Sequence, residues 1–364
     1  MLTTKKLTNI AGWIVFTIAM IVYYLSAERV GSLWDCGEFI LGAQKLQVVH
    51  PPGAPLFMVV GRIFTLFAEL FSNDPADIAF SVNLMSGVCS AFTAAFAAWT
   101  TTLLGGMVLK QESEELSSGQ GYALAGAGIV AGLITAFCSS IWFSAVEGEV
   151  YAMSTFFTTM TIWSAVKWYT LPDESQNDRW LVFSLFSVGL SVGVHLLSLL
   201  ALPALGLLVY YKKVKNRNLL GALLSMVGGI AYLVFIQKII VTKIPGLWAT
   251  MEKLMVNELG MPFHSGLIPT TLILGALAYY LLKLAHKRGY RYLQLFTIVA
   301  LLNVIAFSLI GVIVIRANAD TPVNMNVPSD ALRLLPYINR EQYGDRPLLY
   351  GPHFMAQPSG SNSK

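Results

Sequence analysis

The sequence predicts an all-α polytopic membrane protein, a bundle of about nine transmembrane helices with an amphipathic surface helix in its first outer loop. Of its 364 residues, 55% are hydrophobic and only 12% are charged, whereas about a quarter are charged in soluble domains. Apolar stretches of about 18 residues or more recur along the chain, each long enough to cross a hydrocarbon core of about 30 Å. A soluble fold could not bury this much apolar surface.

The helices are predicted from apolar segments that follow one another at close intervals. In chain order these segments are 8–26, 53–71, 79–106, 122–142, 150–170, 180–211, 219–241, 267–285 and 292–315. Segment 180–211 is too long for one crossing and contains Pro203, so we expect two short helices with the turn between His195 and Pro203. Segment 8–26 resembles a signal sequence, and we expect it to remain as a membrane anchor.

Segment 53–71 has two interpretations, because it is apolar but carries Arg62 and Glu69. It either crosses the membrane or lies along its surface as an amphipathic helix. If it crosses, the basic clusters at 212–217 and 287–291 face outward, against the positive-inside rule. A surface helix places nearly every basic cluster inside, so we predict the surface position.

This topology defines the predicted domains. A membrane domain covers 1–315, with the N-terminus inside and a first outer loop at 26–78. Further outer pieces are expected at 143–150 and 241–266. The region 316–364 is predicted to be an extracytoplasmic tail, outside the membrane.

Composition also excludes several classes of partner. The net charge is +4, but the cations lie in short clusters between apolar runs, so no nucleic-acid surface is predicted. The cysteines at 36, 89 and 138 show no CxxC or Cys/His spacing, which argues against a disulfide framework or a zinc site. We expect membrane lipids as partners, and no metal or other cofactor.

Two carboxylates in the first outer loop are the leading catalytic candidates. Asp35 and Glu38 are three positions apart and share a face if the segment is helical. Apolar neighbours would desolvate them and raise a carboxylate pKa toward the range useful for a general base. The alternative is an Asp that caps a helix beside a solvated Glu.

Other candidates lie where predicted helices meet the outer surface. His50 precedes two prolines that begin the surface helix, and a lone histidine there is either structural or functional. Glu147 and Glu149, with Tyr151, lie at the outer start of a helix, where acidic residues also simply offset the helix dipole. His195 is an ionisable residue at membrane depth, which is a functional hypothesis by default.

Several cations are candidates for binding a phosphate group. This set comprises Arg62, His195, Lys243, His264 and Arg316. Each is alternatively a boundary anchor whose charged end reaches toward water.

These residues lie in stretches that resemble the GT-C glycosyltransferases, and more narrowly the group first catalogued as domain of unknown function 2723, which includes an animal ER protein O-mannosyltransferase. The matching stretches are Trp34-Asp35-x-Gly37-Glu38-Phe39, His50-Pro51-Pro52-Gly53-x-Pro55-Leu56, Glu147-x-Glu149-Val150-Tyr151 and Gly193-x-His195-Leu196-Leu197. The tail stretch Asn339-x-Glu341-Gln342-Tyr343-Gly344-Asp345-Arg346-Pro347 is similar to bacterial members. Those members usually continue into a large extracytoplasmic domain, so we expect a truncated or partial chain.

The resemblance implies a chemistry. Enzymes of this type take a sugar from a polyprenyl-phosphate carrier and transfer it on the outer face, usually with inversion and with an acidic residue of the first outer loop as base. Asp35 matches that base, and Glu38 would orient the acceptor or hold Asp35. Arg62 and His195 would stabilise the departing phosphate. Related protein O-mannosyltransferases need no metal.

The remaining expectations concern the substrates. Mannose and a Ser or Thr hydroxyl of an exported protein enter only through the resemblance, with Glu147 and Glu149 binding sugar hydroxyls and His50 and Tyr151 contacting substrate. The bacterial-type tail favours a bacterial inner membrane, with the active site on the periplasmic side, over the ER. The alternatives are a transporter or lipid flippase, a non-catalytic scaffold, and a related enzyme with a lipid or polysaccharide acceptor.

Overall fold

The computed structural model describes residues 3–110, 116–344, 351 and 355. Within these ranges all regular elements are helical, and one isolated parallel bridge joins Val48 to Asn324. The predicted all-α class is therefore confirmed. The last residues of the predicted tail motif, 345–347, lie outside the described ranges.

The helices are named in chain order. They are α1 (Thr4–Ser26), α2 (Cys36–Lys45), α3 (Pro55–Glu69), α4 (Pro75–Lys110), α5 (Ser118–Phe137), α6 (Ser139–Ala145), α7 (Val150–Thr170), α8 (Asp178–Val192), α9 (Leu202–Lys213), α10 (Leu219–Phe235), α11 (Ile244–Lys253), α12 (Leu267–Arg288), α13 (Arg291–Phe307), α14 (Gly311–Ala317) and α15 (Ala331–Ile338).

In the described part of the chain, seven helical stretches are long and apolar enough to cross a membrane. They are Thr4–Ser26, Pro75–Lys110, Ser118–Phe137, Leu196–Lys213, Leu219–Glu258, Leu267–Arg288 and Arg291–Ala317. The two further predicted crossings correspond to α7 and α8, which do not meet that standard; α8 has 15 residues, a length of about 22 Å. A multi-pass protein is supported, and the count of nine remains a prediction.

Helix α4 is the centre of the first half of the bundle. It packs against α1, α5 and α7, and it presents small buried residues such as Ala94 and Ala98 to its neighbours. Gly132 of α5 lies so close to α1 that an added Cβ would fall 2.7 Å from Val15. Close approach through small residues is the usual way for membrane helices to pack.

The segment predicted to form the surface helix is helical and corresponds to α3; its surface position stays a prediction. It has 15 residues, about 22 Å, and is therefore shorter than a hydrocarbon core of about 30 Å. Phe57 and Met58 are buried against the bundle, whereas Phe67 and Leu70 are exposed. The exposed apolar end fits a helix that lies along a membrane boundary.

The broken segment at 180–211 also agrees with its prediction. Helix α8 ends at Val192, a 3₁₀ stretch covers Leu196–Ala201, and α9 then begins. Pro203 lies in the first turn of α9, where its missing N–H costs no helical hydrogen bond.

Two predicted boundaries were wrong. The segment 122–142 is not one helix, because the backbone at Cys138 is extended and separates α5 from α6. The helix expected to end at 241 instead continues to Glu258 through two π-helical stretches. Ile240 and Trp248 keep a buried apolar face along this extension, so the helix remains packed beyond the expected boundary.

The tail folds back on the first outer loop. Arg316 Nε donates to the carbonyl oxygen of Leu46 at 2.7 Å, the bridge between Val48 and Asn324 follows, and the Tyr337 hydroxyl donates to the Val49 carbonyl. We call residues 316–338 the tail clamp. It fixes the backbone that leads directly into His50.

Candidate functional site

The first outer loop is tied to the loop before α7 by a buried asparagine of α4. The Asn83 side-chain amide donates to the carbonyl oxygens of Glu28 at 2.7 Å and Val30 at 3.1 Å. The Glu28 N–H donates to the Val146 carbonyl at 2.9 Å. These bonds bring the Asp35 segment beside the segment of Glu147 and Glu149.

Asp35 occupies the N-cap position of α2, but its side chain makes no capping hydrogen bond. The alternative of a capping aspartate is therefore not realised. Its side chain is 59% exposed, next to the exposed residues Leu33 and Trp34. The carboxylate is thus accessible from solvent, beside exposed apolar side chains.

Glu38 and His50 form the most tightly bonded pair of the site. The His50 N–H donates to Glu38 Oε1 at 2.7 Å, and His50 Nδ1 lies 2.8 Å from Glu38 Oε2. Because a carboxylate only accepts, Nδ1 carries the proton of this bond. The other ring nitrogen, Nε2, lies 3.9 Å from Asp35 Oδ2, so the imidazole stands between the two carboxylates.

The charges of this pair favour ionisation of both partners. The hydrogen bond to Glu38 raises the pKa of His50 despite the opposing effect of burial. Burial raises the pKa of Glu38, but the hydrogen bonds from His50 outweigh it and hold the pKa below its ordinary value. The arrangement therefore favours an imidazolium beside Asp35.

The same three residues are the group best spaced for a metal ion among the described residues. Asp35, Glu38 and His50 each offer one ligand atom, and these atoms lie within 4.8 Å of one another. Both Glu38 oxygens, however, already accept hydrogen bonds from His50. A cation bound by all three residues would share the Glu38 oxygens with these hydrogen bonds.

Glu147 and Glu149 are both buried, unlike Asp35. Glu147 accepts a hydrogen bond from the Ser32 hydroxyl. Glu149 caps α7 and accepts from the N–H of Val150 at 3.3 Å. Burial, followed by the negative charge of Asp35, raises the pKa of Glu149 to about 7, so its protonated form is well populated near neutral pH.

His195 lies at the break between α8 and α9, with its ring 5.5 Å from the ring of Tyr151. Its Nδ1 accepts a hydrogen bond from the Leu197 N–H at 3.3 Å, which leaves the proton of the neutral ring on Nε2. Burial lowers the pKa of His195. The side chain is therefore a neutral hydrogen-bond donor rather than one of the cations that the sequence suggested.

Arg62 is the predicted catalytic or substrate-binding residue that the structure does not bring into the cluster. Its guanidinium is 2.8 Å from Glu69 and 3.1 Å from Thr65, both on its own helix. The other predicted residues, Asp35, Glu38, His50, Glu147, Glu149, Tyr151 and His195, are linked by the contacts and electrostatic interactions above. Of the further phosphate-binding candidates, Arg316 donates to the carbonyls of Lys45 and Leu46, and His264 lies beside Trp248.

Sequence reasoning missed Arg340, which follows the tail clamp. Its positive charge opposes protonation of both His50 and His195, so its guanidinium lies within electrostatic reach of both rings. Arg340 is exposed and stacks on the Tyr343 ring at 4.8 Å. The available signal was its place inside the tail stretch that resembles bacterial proteins, where it occupies an unspecified position.

The pKa of Glu149 gives a stability prediction for Glu149→Gln. A carboxyl whose folded pKa is raised from 4.5 to about 7 stabilises the fold below pH 4.5, and that contribution is lost as the pH rises through 7. Glutamine stays neutral. The variant should match wild type at pH 4 and be more stable at pH 8.5, by at most about 3 kcal/mol.

Thermal unfolding in detergent at the two pH values measures this difference. Glu258→Gln, at an exposed position, is the control and should show no pH-dependent gain. Equal unfolding temperatures for wild type and Glu149→Gln at pH 8.5 would contradict the prediction.

Comparison with known proteins identifies a matching family and two similar proteins. A model of the family described as the protein O-mannosyl-transferase TMEM260 N-terminal domain matches residues 35–218, about half of the chain. The protein O-mannosyl-transferase tmem260 of Dictyostelium discoideum is 26% identical over 176 residues, which are 48% of this chain and 19% of that protein. TMEM260 of Mus musculus is 27% identical over 179 residues, which are 49% of this chain and 22% of that protein.

The aligned part thus spans about a fifth of the length of these relatives. No solved structure matches the chain. The matched range begins at Asp35 and includes the predicted catalytic and substrate-binding residues from Asp35 to His195, but not the phosphate-binding candidates Lys243, His264 and Arg316. It excludes the tail clamp and Arg340.

Proposed function

We propose that this chain, which belongs to the family of the protein O-mannosyl-transferase TMEM260 N-terminal domain, is a membrane glycosyltransferase of the GT-C type. It moves mannose from a polyprenyl-phosphate carrier to a Ser or Thr hydroxyl of an exported protein. The names of these relatives, protein O-mannosyl-transferases, support the sugar and the protein acceptor. The carrier and the outer location rest on the resemblance of the site motifs.

The observation that carries this proposal is the exposed Asp35 carboxylate held beside His50, which Glu38 fixes through two hydrogen bonds. A general base needs an accessible carboxylate at a defined position. Asp35 is accessible, and the locked imidazole supplies a fixed neighbour. In this assignment Asp35 is the base and Glu38 is a positioning residue that acts through His50.

The reaction is an inverting displacement. Asp35 removes the proton from the acceptor hydroxyl while that oxygen forms a bond to the anomeric carbon. The bond between the anomeric carbon and the carrier phosphate oxygen breaks, and the phosphate leaves with the electron pair. Negative charge therefore develops on the phosphate, where fixed positive charges and N–H donors stabilise the transition state.

Three groups suit that stabilising task. The imidazolium of His50 and the guanidinium of Arg340 supply positive charge, and neutral His195 supplies an Nε2–H donor. Arg62 is not given this role, because it is paired with Glu69. Glu147, Glu149 and Tyr151 are proposed to contact sugar hydroxyls at the outer end of α7.

The distribution of charge between the two ends of the bundle supports an orientation in the membrane. Basic clusters gather at the end where α7 finishes and α9 meets the loop at 214–218, and such clusters favour the cytoplasmic side. Asp35 lies at the other end, beside the start of α7. We propose a bacterial inner membrane, with this site on the periplasmic face.

The test is transfer of label from polyprenyl-phosphate [³H]mannose to protein in membranes that contain the full chain. We expect label in protein, released as mannose by alkaline β-elimination because the sugar is attached to a Ser or Thr oxygen. Label in lipid or polysaccharide alone would replace the protein acceptor by another acceptor. Absence of transfer to any acceptor would overturn the proposed activity.

Removal of divalent metal is expected to leave this transfer unchanged. Glu38 has a hydrogen-bonded charge partner in His50, and the proposed charge stabilisation comes from side chains. Washing the membranes with EDTA and assaying in EDTA measures the effect, with added Mg²⁺ or Mn²⁺ as the comparison. A loss in EDTA that either ion restores would instead make Asp35, Glu38 and His50 a metal site.

A further inference from the structure

A large apolar cavity lies far from the site described above, among α8, α9, α10 and α13. Its volume is about 530 Å³, within the range of about 300–1,000 Å³ typical of ligand pockets. Leucine, valine and aromatic side chains dominate its lining. Gly228 lines it as well, and an added Cβ there would meet no atom within 4 Å. The backbone at 228 therefore borders the cavity with open space beside it, where a larger side chain has room.

One end of this cavity is basic. Lys213 lines it, Lys215 and Arg217 follow in the next loop, and Arg291 precedes the lining residue Tyr292. We call Lys213, Lys215, Arg217 and Arg291 the basic rim.

Acidic residues neutralise only part of the basic rim. Lys213 pairs with Asp173, and Arg291 pairs with Asp178. Among the described residues no carboxylate forms an ion pair with Lys215 or Arg217. Positive charge therefore remains where the apolar cavity meets the end of the bundle.

The cavity is separate from the proposed catalytic site. Helix α7 has 21 residues, from Val150 to Thr170, and spans about 31 Å. Glu149 of the site caps its first turn, whereas Lys212, beside the basic rim, contacts Trp168 in its last turn. The two sites are thus at opposite ends of one helix, so a sugar carrier whose phosphate is held near Asp35 does not place that phosphate at Lys213.

We propose that this cavity binds an anionic phospholipid, with an acyl chain between α9, α10 and α13 and the phosphate at the basic rim. The apolar lining accommodates the chain, and the uncompensated cations select a negatively charged headgroup over a zwitterionic one. This site is a lipid-binding site of the membrane domain and does not depend on the transferase activity.

The test is native mass spectrometry of the full chain, delipidated in detergent and then titrated with phosphatidylglycerol or phosphatidylcholine. We expect a retained phosphatidylglycerol adduct and at least tenfold weaker binding of phosphatidylcholine. Gly228→Leu, which fills the cavity, should weaken phosphatidylglycerol binding at least tenfold. Lys213→Gln removes a cation that lines the cavity and leaves Asp173 unpaired at the basic rim, so it should weaken phosphatidylglycerol binding about fivefold.

Matched controls separate these effects from general damage. Gly126→Leu places the same side chain on α5, where an added Cβ also meets nothing within 4 Å, and Lys283→Gln removes a cation on α12. Both should bind as wild type does. If Gly228→Leu does not fold, Lys213→Gln alone decides the question.

Three results would overturn the proposal. They are equal retention of both lipids, unchanged phosphatidylglycerol binding by a folded Gly228→Leu or by Lys213→Gln, and full competition by glycerol 3-phosphate. The last result would show that the site binds the phosphate group without any contribution from the acyl chain.

Discussion

Replacing Asp35 by Asn is expected to lower mannose transfer by about two to four orders of magnitude, the contribution of a general base. The amide has nearly the same shape but cannot take the proton of the acceptor hydroxyl. The fold should be unaffected, because the Asp35 side chain makes no capping hydrogen bond and is mostly exposed. Initial rates at matched expression, with gel-filtration profiles of both proteins, measure the effect.

Asp77→Asn is the matched control, because it makes the same chemical change in the first turn of α4. It should keep wild-type activity. Transfer by Asp35→Asn at the wild-type rate would remove Asp35 from the mechanism and would leave the scaffold interpretation in its place.

Replacing Glu38 by Gln is expected to lower kcat/KM by about 10- to 100-fold, the scale seen when the carboxylate partner of a metal-bound histidine is removed. The more diagnostic effect of this substitution is a shift of the pH profile of kcat/KM. Glu38 raises the pKa of His50, so without that charge His50 loses its proton at lower pH. Because protonated His50 is the proposed active form, the alkaline limb of kcat/KM should move to lower pH.

A purely structural role for Glu38 would lower the rate without moving this limb. Glu69→Gln is the control, since it also turns an ion-paired carboxylate into an amide, 2.8 Å from Arg62. It should leave both rate and pH profile unchanged. An unshifted limb in Glu38→Gln would refute the role of Glu38 as the residue that maintains the His50 charge.

The helices were predictable from local information. Hydrophobic length gives α1, α4 and α12, and Pro203 gives the break before α9, because each depends on residues near one another in the chain. The end of the long helix after α10 was not predictable in this way. The apolar run ends near 241, so an outer piece was expected at 241–266, whereas packing of Trp248 against the bundle keeps the first part of this segment helical.

The site was predictable only where its residues stand in short motifs. Asp35 and Glu38 were predicted as a pair from their spacing. The hydrogen bonds that join Glu38 to His50 connect residues on either side of a turn, and no spacing rule predicts such a contact. Arg340 was missed because its approach depends on the tail folding back. The positioning role of Asn83 was missed because a single Asn inside an apolar helix carries no pattern.

Arg62 shows the opposite error, since a local relation was overlooked. Arg62 and Glu69 are seven positions apart, two turns along one helix face, and the structure pairs them at 2.8 Å. Spacing alone could have removed Arg62 from the set of phosphate-binding candidates.

The tail clamp also sets the order in which the working site is assembled during synthesis. Arg316 lies 270 positions after Leu46, and Tyr337 lies 288 positions after Val49. The ribosome therefore releases the Asp35 and His50 segment long before the residues that hold it in place. Until the tail clamp is made and the last helices are inserted, the segment lacks these anchors. Full anchoring of the Asp35 and His50 segment is therefore a late event in the synthesis of the chain.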